Sequence, residues 1–147
     1  EGAAELAAEY LGLRGVDVRI GDALDHSTIA PGRYDLIALD VYDDTNNVPI
    51  QFCDRAFADG IATALADDGV FVANFHVGSA DEDARADRAA EAYRSAFGEL
   101  RAAPVRYQGN RVFSSRPVVE ADAVAAAERL GWPFDPRSRL RRLERVS

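Results

Sequence analysis

Two kinds of hydrophobic pattern occur along the first half of the chain. Val16, Val18 and Ile20 alternate with charged residues, and this period of two predicts a half-exposed strand at a sheet edge. The segments YDLIALD (34–40) and GVFVANFHV (69–77) are instead almost continuously apolar. A run of this kind predicts a strand buried on both faces, which for residues 34–40 indicates the middle of a parallel sheet.

Helical periodicity fills the intervals between these strands. The segments APVRY and RVFSS, separated by a Gln-Gly-Asn turn at 108–110, predict a closing hairpin. Strands that alternate with helices favour an α/β fold with a mostly parallel sheet, and the hairpin adds an antiparallel strand at the C-terminal end. The predicted helices cover residues 1–13, 51–66, 81–100, 119–131 and 136–145, with a short helix or turn at 22–30.

Composition and net charge limit the class of protein to which this chain can belong. The 147 residues, 48% of them hydrophobic and 29% charged, predict one globular domain spanning 1–147 without an internal linker. A net charge of −8 argues against non-specific nucleic-acid binding, and the apolar runs are too short for a bilayer span of roughly 20 residues. The single cysteine, Cys53, fits a reducing compartment, so we expect a cytoplasmic protein. No Cys/His cluster has the spacing of a metal site, and we expect no metal.

Polar residues stand where the predicted strands end. Open sheets of this type bind ligands beyond the carboxyl ends of their strands. The residues at those ends are Asp22, Asp40 with Asp43 and Asp44, and Asn74 with His76. We expect them to line a ligand site, except Asp44, which we expect to face solvent. Other interpretations stay open: a helix cap for Asp22, a solvated loop for the two acids after residue 39, and a structural hydrogen bond for His76.

This order of elements and strand-end residues resembles the class I S-adenosylmethionine-dependent methyltransferase fold. Within that fold it is most similar to spermidine synthases and to bacterial spermidine-synthase-like proteins. The similarity covers nearly the whole chain. The segments that carry it are VRIGDA (18–23), RYDLIALDVYD (33–43), Val48-Pro49, LADDGVFVANFH (65–76) and NRVFSSRP (110–117).

The resemblance assigns cofactor and catalytic roles. Asp22 corresponds to the acid that recognises the adenine amino group, with the Ala23 backbone N–H meeting the ring. Asp40 and Asp43 reproduce the D-x-x-D spacing of the catalytic loop. In aminopropyl transfer a primary amine must lose a proton before it attacks the carbon beside a sulfonium. One carboxylate can accept that proton, and a second can hold the cationic amine in line. Asp40 also lines the cofactor's reactive end.

Three further residues are implied in substrate binding. Asn74 keeps the family's strand-end amide, whereas His76 replaces a carboxylate and could itself act as a base. Tyr42 stands where a small residue is common and would line a pocket. No proline follows Asp43, unlike the usual pattern of true synthases. These departures favour a relative with another acceptor over a true polyamine synthase.

A larger departure concerns the cofactor. No glycine-rich loop follows a first strand, and no acid ends a second strand, although these elements hold the methionine part and the ribose in the family. The chain also lacks Met and opens within a predicted helix. We therefore expect an N-terminally truncated copy of the fold, its C-terminal two-thirds, in which the strand at 16–20 has no neighbour of its own.

Three hypotheses follow. The first is a spermidine-synthase-like transferase that uses S-adenosylmethionine or its decarboxylated form and transfers an aminopropyl or related alkyl group to a small-molecule amine. The second is a small-molecule methyltransferase on the same fold. The third is a non-catalytic dimerisation or regulatory domain derived from it. The resemblance also implies a homodimer.

Overall fold

Helices and strands alternate along the chain, as the sequence predicts. The computed structural model describes residues 2–12, 14–25, 31–105, 109–141 and 144–146. Its helices are α1 Gly2–Tyr10, α2 Arg55–Ala64, α3 Ala80–Phe97, α4 Glu120–Leu130 and α5 Arg137–Leu140, with a 3₁₀ turn at Ile50–Cys53. Its strands are β1 Tyr34–Leu39, β2 Leu65–His76, β3 Arg101–Val105, β4 Asn110–Ser114 and β5 Glu144–Arg145.

The described strands form one open, five-stranded sheet in the order β1-β2-β4-β3-β5. β1 and β2 run parallel, whereas β4 is antiparallel to both β2 and β3, and β5 is antiparallel to β3. The α/β class and the antiparallel hairpin are therefore confirmed. Among the described strands one pairing is parallel and three are antiparallel, and the strand predicted at 16–20 is not formed.

That missing strand is the segment at 16–20. Its residues have no regular secondary structure and pair with no described strand, and Val16, Val18 and Ile20 are all exposed. Alternation of apolar and charged side chains specifies two faces of a strand, whereas a strand also needs a neighbour to satisfy its backbone N–H and C=O groups. The pattern at 16–20 predicts the two faces of a strand but does not indicate a neighbouring strand.

β1 lies at the edge of the described sheet, so the prediction of a central strand is wrong for these residues. Leu36 points outward and is 61% exposed, while Leu39 is buried in the core. An apolar run is compatible with burial on both faces of a strand, but such burial also requires a layer of helices against each face. Here the described helices cover only one face of β1.

Aromatic side chains form the centre of the core. Tyr93 of α3 is fully buried and lies edge-on to Phe71 and Phe75 of β2, with ring centroids 4.9 and 6.2 Å away. Its hydroxyl donates a 2.7 Å hydrogen bond to the carbonyl of Phe52. Burial alternates strictly along the C-terminal half of β2, so that Asn74 lies on the half-buried face, opposite the aromatic core.

Helix α3 begins with a capping box. The Ser79 Oγ accepts from the Glu82 backbone N–H, and the Glu82 carboxylate accepts from the Ser79 backbone N–H at 2.8 Å. The helix ends at Gly98, whose φ of 76° is the left-handed conformation that favours glycine. The first turn of α3 thereby stands beside the end of β2. No described helix has the length and apolar character needed to span a bilayer.

The C-terminal segment differs from the prediction. A helix was expected at 136–145, but α5 ends at Leu140 and residues 144 and 145 form β5 against β3. The local sequence has strong helix formers, and pairing with the exposed edge of β3 overrides that propensity. The predicted helix or turn at 22–30 is described only up to Asp25, and positions 106–108 of the predicted hairpin lie outside the described residues.

Candidate functional site

The ends of β1 and β2 meet through a direct side-chain contact. Leu39 pairs with Ala73 in the parallel register, so the residues that follow, Asp40 and Asn74, also lie side by side. Asn74 Nδ2 donates a 3.1 Å hydrogen bond to Asp40 Oδ1. The structure therefore brings these two residues together at one end of the sheet, and their role in a ligand site stays a prediction.

A third strand extends the same network. Asn110, the first residue of β4, donates from Nδ2 to Asn74 Oδ1 at 2.9 Å. The Asn74 amide is therefore fixed in both directions, accepting from one neighbour and donating to the other. This arrangement orients the Asp40 carboxylate, which stays exposed to solvent. Asn110 was not predicted as a site residue, although its place at the turn of the hairpin next to a strand end could have indicated it.

Tyr42 closes the network from the β1 side. Its hydroxyl donates a 3.2 Å hydrogen bond to the Asn74 backbone carbonyl. Partial burial, and then the negative charge of Asp40, raise the pKa of the Tyr42 phenol. The phenol therefore stays protonated at neutral pH and serves as a hydrogen-bond donor. We call Asp40, Tyr42, Asn74, His76 and Asn110 the strand-end cluster.

His76 ends β2 on the same face as Asn74. Its Nδ1 lies 3.0 Å from Glu82 Oε1 and 3.3 Å from the Asn46 side-chain nitrogen. Hydrogen bonds from Ser79, the backbone bond first, lower the pKa of Glu82, and His76 adds to the effect. Glu82 is a site residue that the sequence reasoning missed. The spacing Ser79-x-x-Glu82 indicates a capping box but not the contact with a histidine.

Asp43 has a different environment from Asp40. Its Oδ1 accepts from the Thr45 backbone N–H at 2.9 Å, the Thr45 hydroxyl at 2.6 Å and the Asn47 backbone N–H at 3.0 Å. These bonds, the Thr45 hydroxyl first, lower the pKa of the Asp43 carboxyl. The carboxylate thus shapes the loop after β1. A catalytic role for Asp43 stays a prediction, and a carboxylate held ionised in this way is a poor proton acceptor.

Asp22 and Ala23 lie in a turn that no strand precedes. Asp22 Oδ1 accepts from the Leu24 backbone N–H at 2.8 Å, and the Asp22 carbonyl accepts from Asp25 at 3.0 Å. The first bond closes an Asx turn, and the helix-cap interpretation of this residue falls partly on positions 26–30, which lie outside the described residues. Leu24 packs against the core and fixes the turn to the domain. The adenine-binding role of Asp22 and Ala23 stays a prediction.

Acidic residues are abundant, yet they do not converge on a metal site in the described part of the chain. No group of three or more His, Cys, Asp or Glu side chains there has the arrangement needed to hold a metal ion.

Cys53 is fully buried, and burial raises the pKa of its thiol to about 11. A thiol of this kind is unreactive at neutral pH.

Comparison with known proteins places this fold among two groups of solved structures. No family model matches the sequence. No curated protein matches it either. A probable spermidine synthase from Corynebacterium glutamicum is 19% identical with a TM-score of 0.70, over 99% of this chain and 55% of the synthase. Human methyltransferase-like protein 13, in a structure with SAH, is 21% identical with the same TM-score, over 95% of this chain and 67% of that protein.

These likenesses establish the fold. The mixed α/β architecture with its open sheet is that of the spermidine synthase and methyltransferase structures. The chain spans about half the length of the spermidine synthase that it matches.

Proposed function

We propose that this chain is the acceptor-side part of a transferase that uses S-adenosylmethionine or its decarboxylated form. The reaction would transfer an aminopropyl or related alkyl group to a small-molecule amine. The observation that carries this proposal is the hydrogen-bonded series Asp40–Asn74–Asn110 at one edge of the sheet, where the parallel strands β1 and β2 end and the antiparallel strand β4 begins. Ligands bind at that edge in open α/β sheets, and the two similar structures are a spermidine synthase and a methyltransferase with SAH bound.

The chemistry of the cluster suits a cationic amine. Asp40 presents an exposed carboxylate whose orientation is set by Asn74, so it can hold an ammonium group by a charge-assisted hydrogen bond. The Tyr42 hydroxyl donates its proton to the Asn74 carbonyl, so its oxygen can accept a hydrogen bond from an ammonium group on the same side. A positioned amine beside a sulfonium carbon reacts far faster than the same groups free in solution. Asp22 and Ala23 would meet the adenine, and the elements that hold the methionine part would come from outside this chain.

A methyltransferase of small molecules is the second candidate. It is favoured by the structure of methyltransferase-like protein 13 with SAH, which shares the fold over 95% of this chain. In that reaction Asp40 would line the methyl end of the cofactor. We also propose that the protein acts as a homodimer in the cytoplasm, by analogy of fold alone.

Calorimetric titration of the full-length protein with each cofactor tests the proposal. Tighter binding of the decarboxylated form supports aminopropyl transfer, and tighter binding of S-adenosylmethionine supports methyl transfer. Absence of binding to either would overturn both and leave the non-catalytic domain as the remaining hypothesis.

Substitution of Asp40 tests the site itself. We expect Asp40→Asn to lower turnover with an accepted amine by about 10²-fold, since misplacement of a reacting group costs on that order. The matched control is Asp44→Asn, which removes the same charge from an exposed position in the same loop. Equal turnover of the two variants would remove Asp40 from the site.

A further inference from the structure

We infer that Glu82 is a positioning residue that holds His76 as the proton acceptor for the attacking amine, an inference that rests on the proposed function. The two side chains come from different elements, the end of β2 and the first turn of α3. His76 Nδ1 and Glu82 Oε1 are 3.0 Å apart. The side chains are 32% and 17% exposed, so the pair is shielded from solvent on most sides.

Glu82 is held rigidly because its two carboxylate oxygens have different partners. Oε2 accepts from the Ser79 backbone N–H at 2.8 Å, which closes the capping box of α3, and Oε1 faces the histidine. The Glu82 backbone N–H in turn donates to Ser79 Oγ. The helix start therefore fixes the direction from which the carboxylate meets the ring. A histidine ring oriented in this way by a carboxylate is the arrangement that general bases require.

Two neighbours compete for the same ring nitrogen. The Glu82 carboxylate can only accept a hydrogen bond, whereas the Asn46 side-chain nitrogen, 3.3 Å from Nδ1, can only donate one. Nδ1 cannot satisfy both in a neutral ring. The contact with Glu82 is shorter, and a hydrogen bond to an ionised group is roughly twice as strong as one between neutral groups. Nδ1 therefore carries the proton and donates to Glu82.

Protonation at Nδ1 leaves the lone pair on Nε2. Gly109 lies beside this nitrogen: a Cβ added there would be in ordinary van der Waals contact with Nε2 at 3.5 Å, but only 2.7 Å from the Val77 carbonyl oxygen. Gly109 has a φ of 61°, where side chains are strained, so the turn also favours glycine for its backbone. Asn74, which contacts Asp40, is two residues before His76 on the same face of β2.

The proton and electron balance of the step is simple. Nε2 of His76 takes one proton from the substrate ammonium and becomes an imidazolium, which the Glu82 carboxylate stabilises. The amine lone pair released in this way forms a bond to the carbon beside the sulfonium. The carbon–sulfur bond breaks, and its electron pair stays on sulfur, which becomes a neutral thioether. Asp40 keeps the amine in line throughout.

The experiment is Glu82→Gln in the full-length protein. Glutamine at this helix position still closes a capping box through its carbonyl oxygen, and its amide nitrogen then faces Nδ1 as a donor. We expect the neutral ring to change from the Nδ1–H to the Nε2–H tautomer, observed by ¹⁵N NMR of the histidine above about pH 8. We expect turnover to fall by at least about 10²-fold, with unchanged affinity for the cofactor.

Two controls separate positioning from helix stability. Ser79→Ala removes the hydroxyl from the capping box but leaves the Ser79 backbone bond to Glu82 Oε2 and the Glu82–His76 contact, so we expect the Nδ1–H tautomer to be retained. Asn46→Gly removes the competing donor at a position with a φ of 62°, and we expect the same tautomer. In a His76→Gln background, Glu82→Gln should lower turnover no further, since the two residues act as one unit.

The outcomes are distinguishable. An Nε2–H tautomer in the wild-type protein, or a tautomer and turnover unaffected by Glu82→Gln, would overturn the inference. If the tautomer changes as expected while the wild-type protein binds neither cofactor form, the positioning by Glu82 is supported and the proposed transferase fails.

Discussion

Replacement of Asn74 by aspartate probes the strand-end cluster without any ligand. The two side chains have the same shape, but the substitution converts the Nδ2 donor into a carboxylate oxygen 3.1 Å from Asp40 Oδ1. Two unit charges about 4 Å apart repel by about 1 kcal/mol in water and by about 4 kcal/mol near a protein surface. Because Asp40 is exposed, we expect the lower part of this range, about 1–2 kcal/mol at pH 7.

The penalty has a defined pH dependence. The new carboxyl pair in the folded state binds a proton more tightly than either group does in the unfolded chain, so its folded pKa is raised above about 3.9. The penalty is therefore complete above the raised value and disappears as the pH falls to about 4, where the pair shares a proton in a hydrogen bond. Thermal unfolding at several pH values measures this, with a Tm decrease of about 2–8 °C at pH 7.

Asn110→Asp is the matched control for this experiment. It adds the same charge one hydrogen bond further along the series, against the neutral amide oxygen of Asn74. We expect a smaller pH-dependent change from it. If Asn74→Asp lowered the Tm equally at pH 4 and pH 7, the contact between Asn74 and Asp40 would be refuted.

Three further predictions concern the core and the loop after β1. Tyr93→Phe leaves the Phe52 carbonyl without the hydroxyl that donates to it, so chemical denaturation should show a decrease of about 1–3 kcal/mol in the free energy of unfolding. Tyr10→Phe, at an exposed site, should change this free energy very little. Equal decreases in the two variants would contradict the hydrogen bond. The pKa of the Asp43 carboxyl is lowered by folding, so its stabilisation is complete above about pH 4 and is lost as the pH falls through the lowered value. Asp43→Asn should weaken the decrease of the free energy of unfolding at acid pH. An unchanged pH dependence would contradict this. Cys53, buried and with its thiol pKa raised to about 11, should react with a maleimide slowly at pH 7.5 in the folded state and rapidly in denaturant; equal rates would show that the thiol is accessible.

Local patterns were sufficient for the elements whose stability is local or whose partners follow in sequence. Helix α3 was predicted at 81–100 and forms at Ala80–Phe97, since a capping box at Ser79 and a left-handed Gly98 set its ends. β2 and the α3 helix that covers it are adjacent along the chain. The meeting of Asp40 with Asn74 follows from the parallel order of β1 and β2, because their carboxyl ends share one edge of the sheet.

The remaining features depend on contacts between distant segments. Residues 144 and 145 form a strand because they pair with the edge of β3. The helix-forming composition of this segment does not indicate such a partner. The residues at 16–20 have the alternation of a strand but no described partner. Glu82 appears in the sequence as a capping residue, and only the fold brings its second oxygen to His76.

The most direct test of the central claim is the response of the cluster itself to the cofactor. We propose to follow the Asn74 side-chain amide and the His76 ring by NMR while S-adenosylmethionine or its decarboxylated form is added to the full-length protein. The account predicts saturable shifts of both groups with at least one cofactor form, while the side-chain amide of Asn47, which is bonded within its own loop, shifts little. Cofactor binding that leaves the Asn74 and His76 resonances unchanged would contradict the claim that the strand-end cluster is the acceptor side of the site.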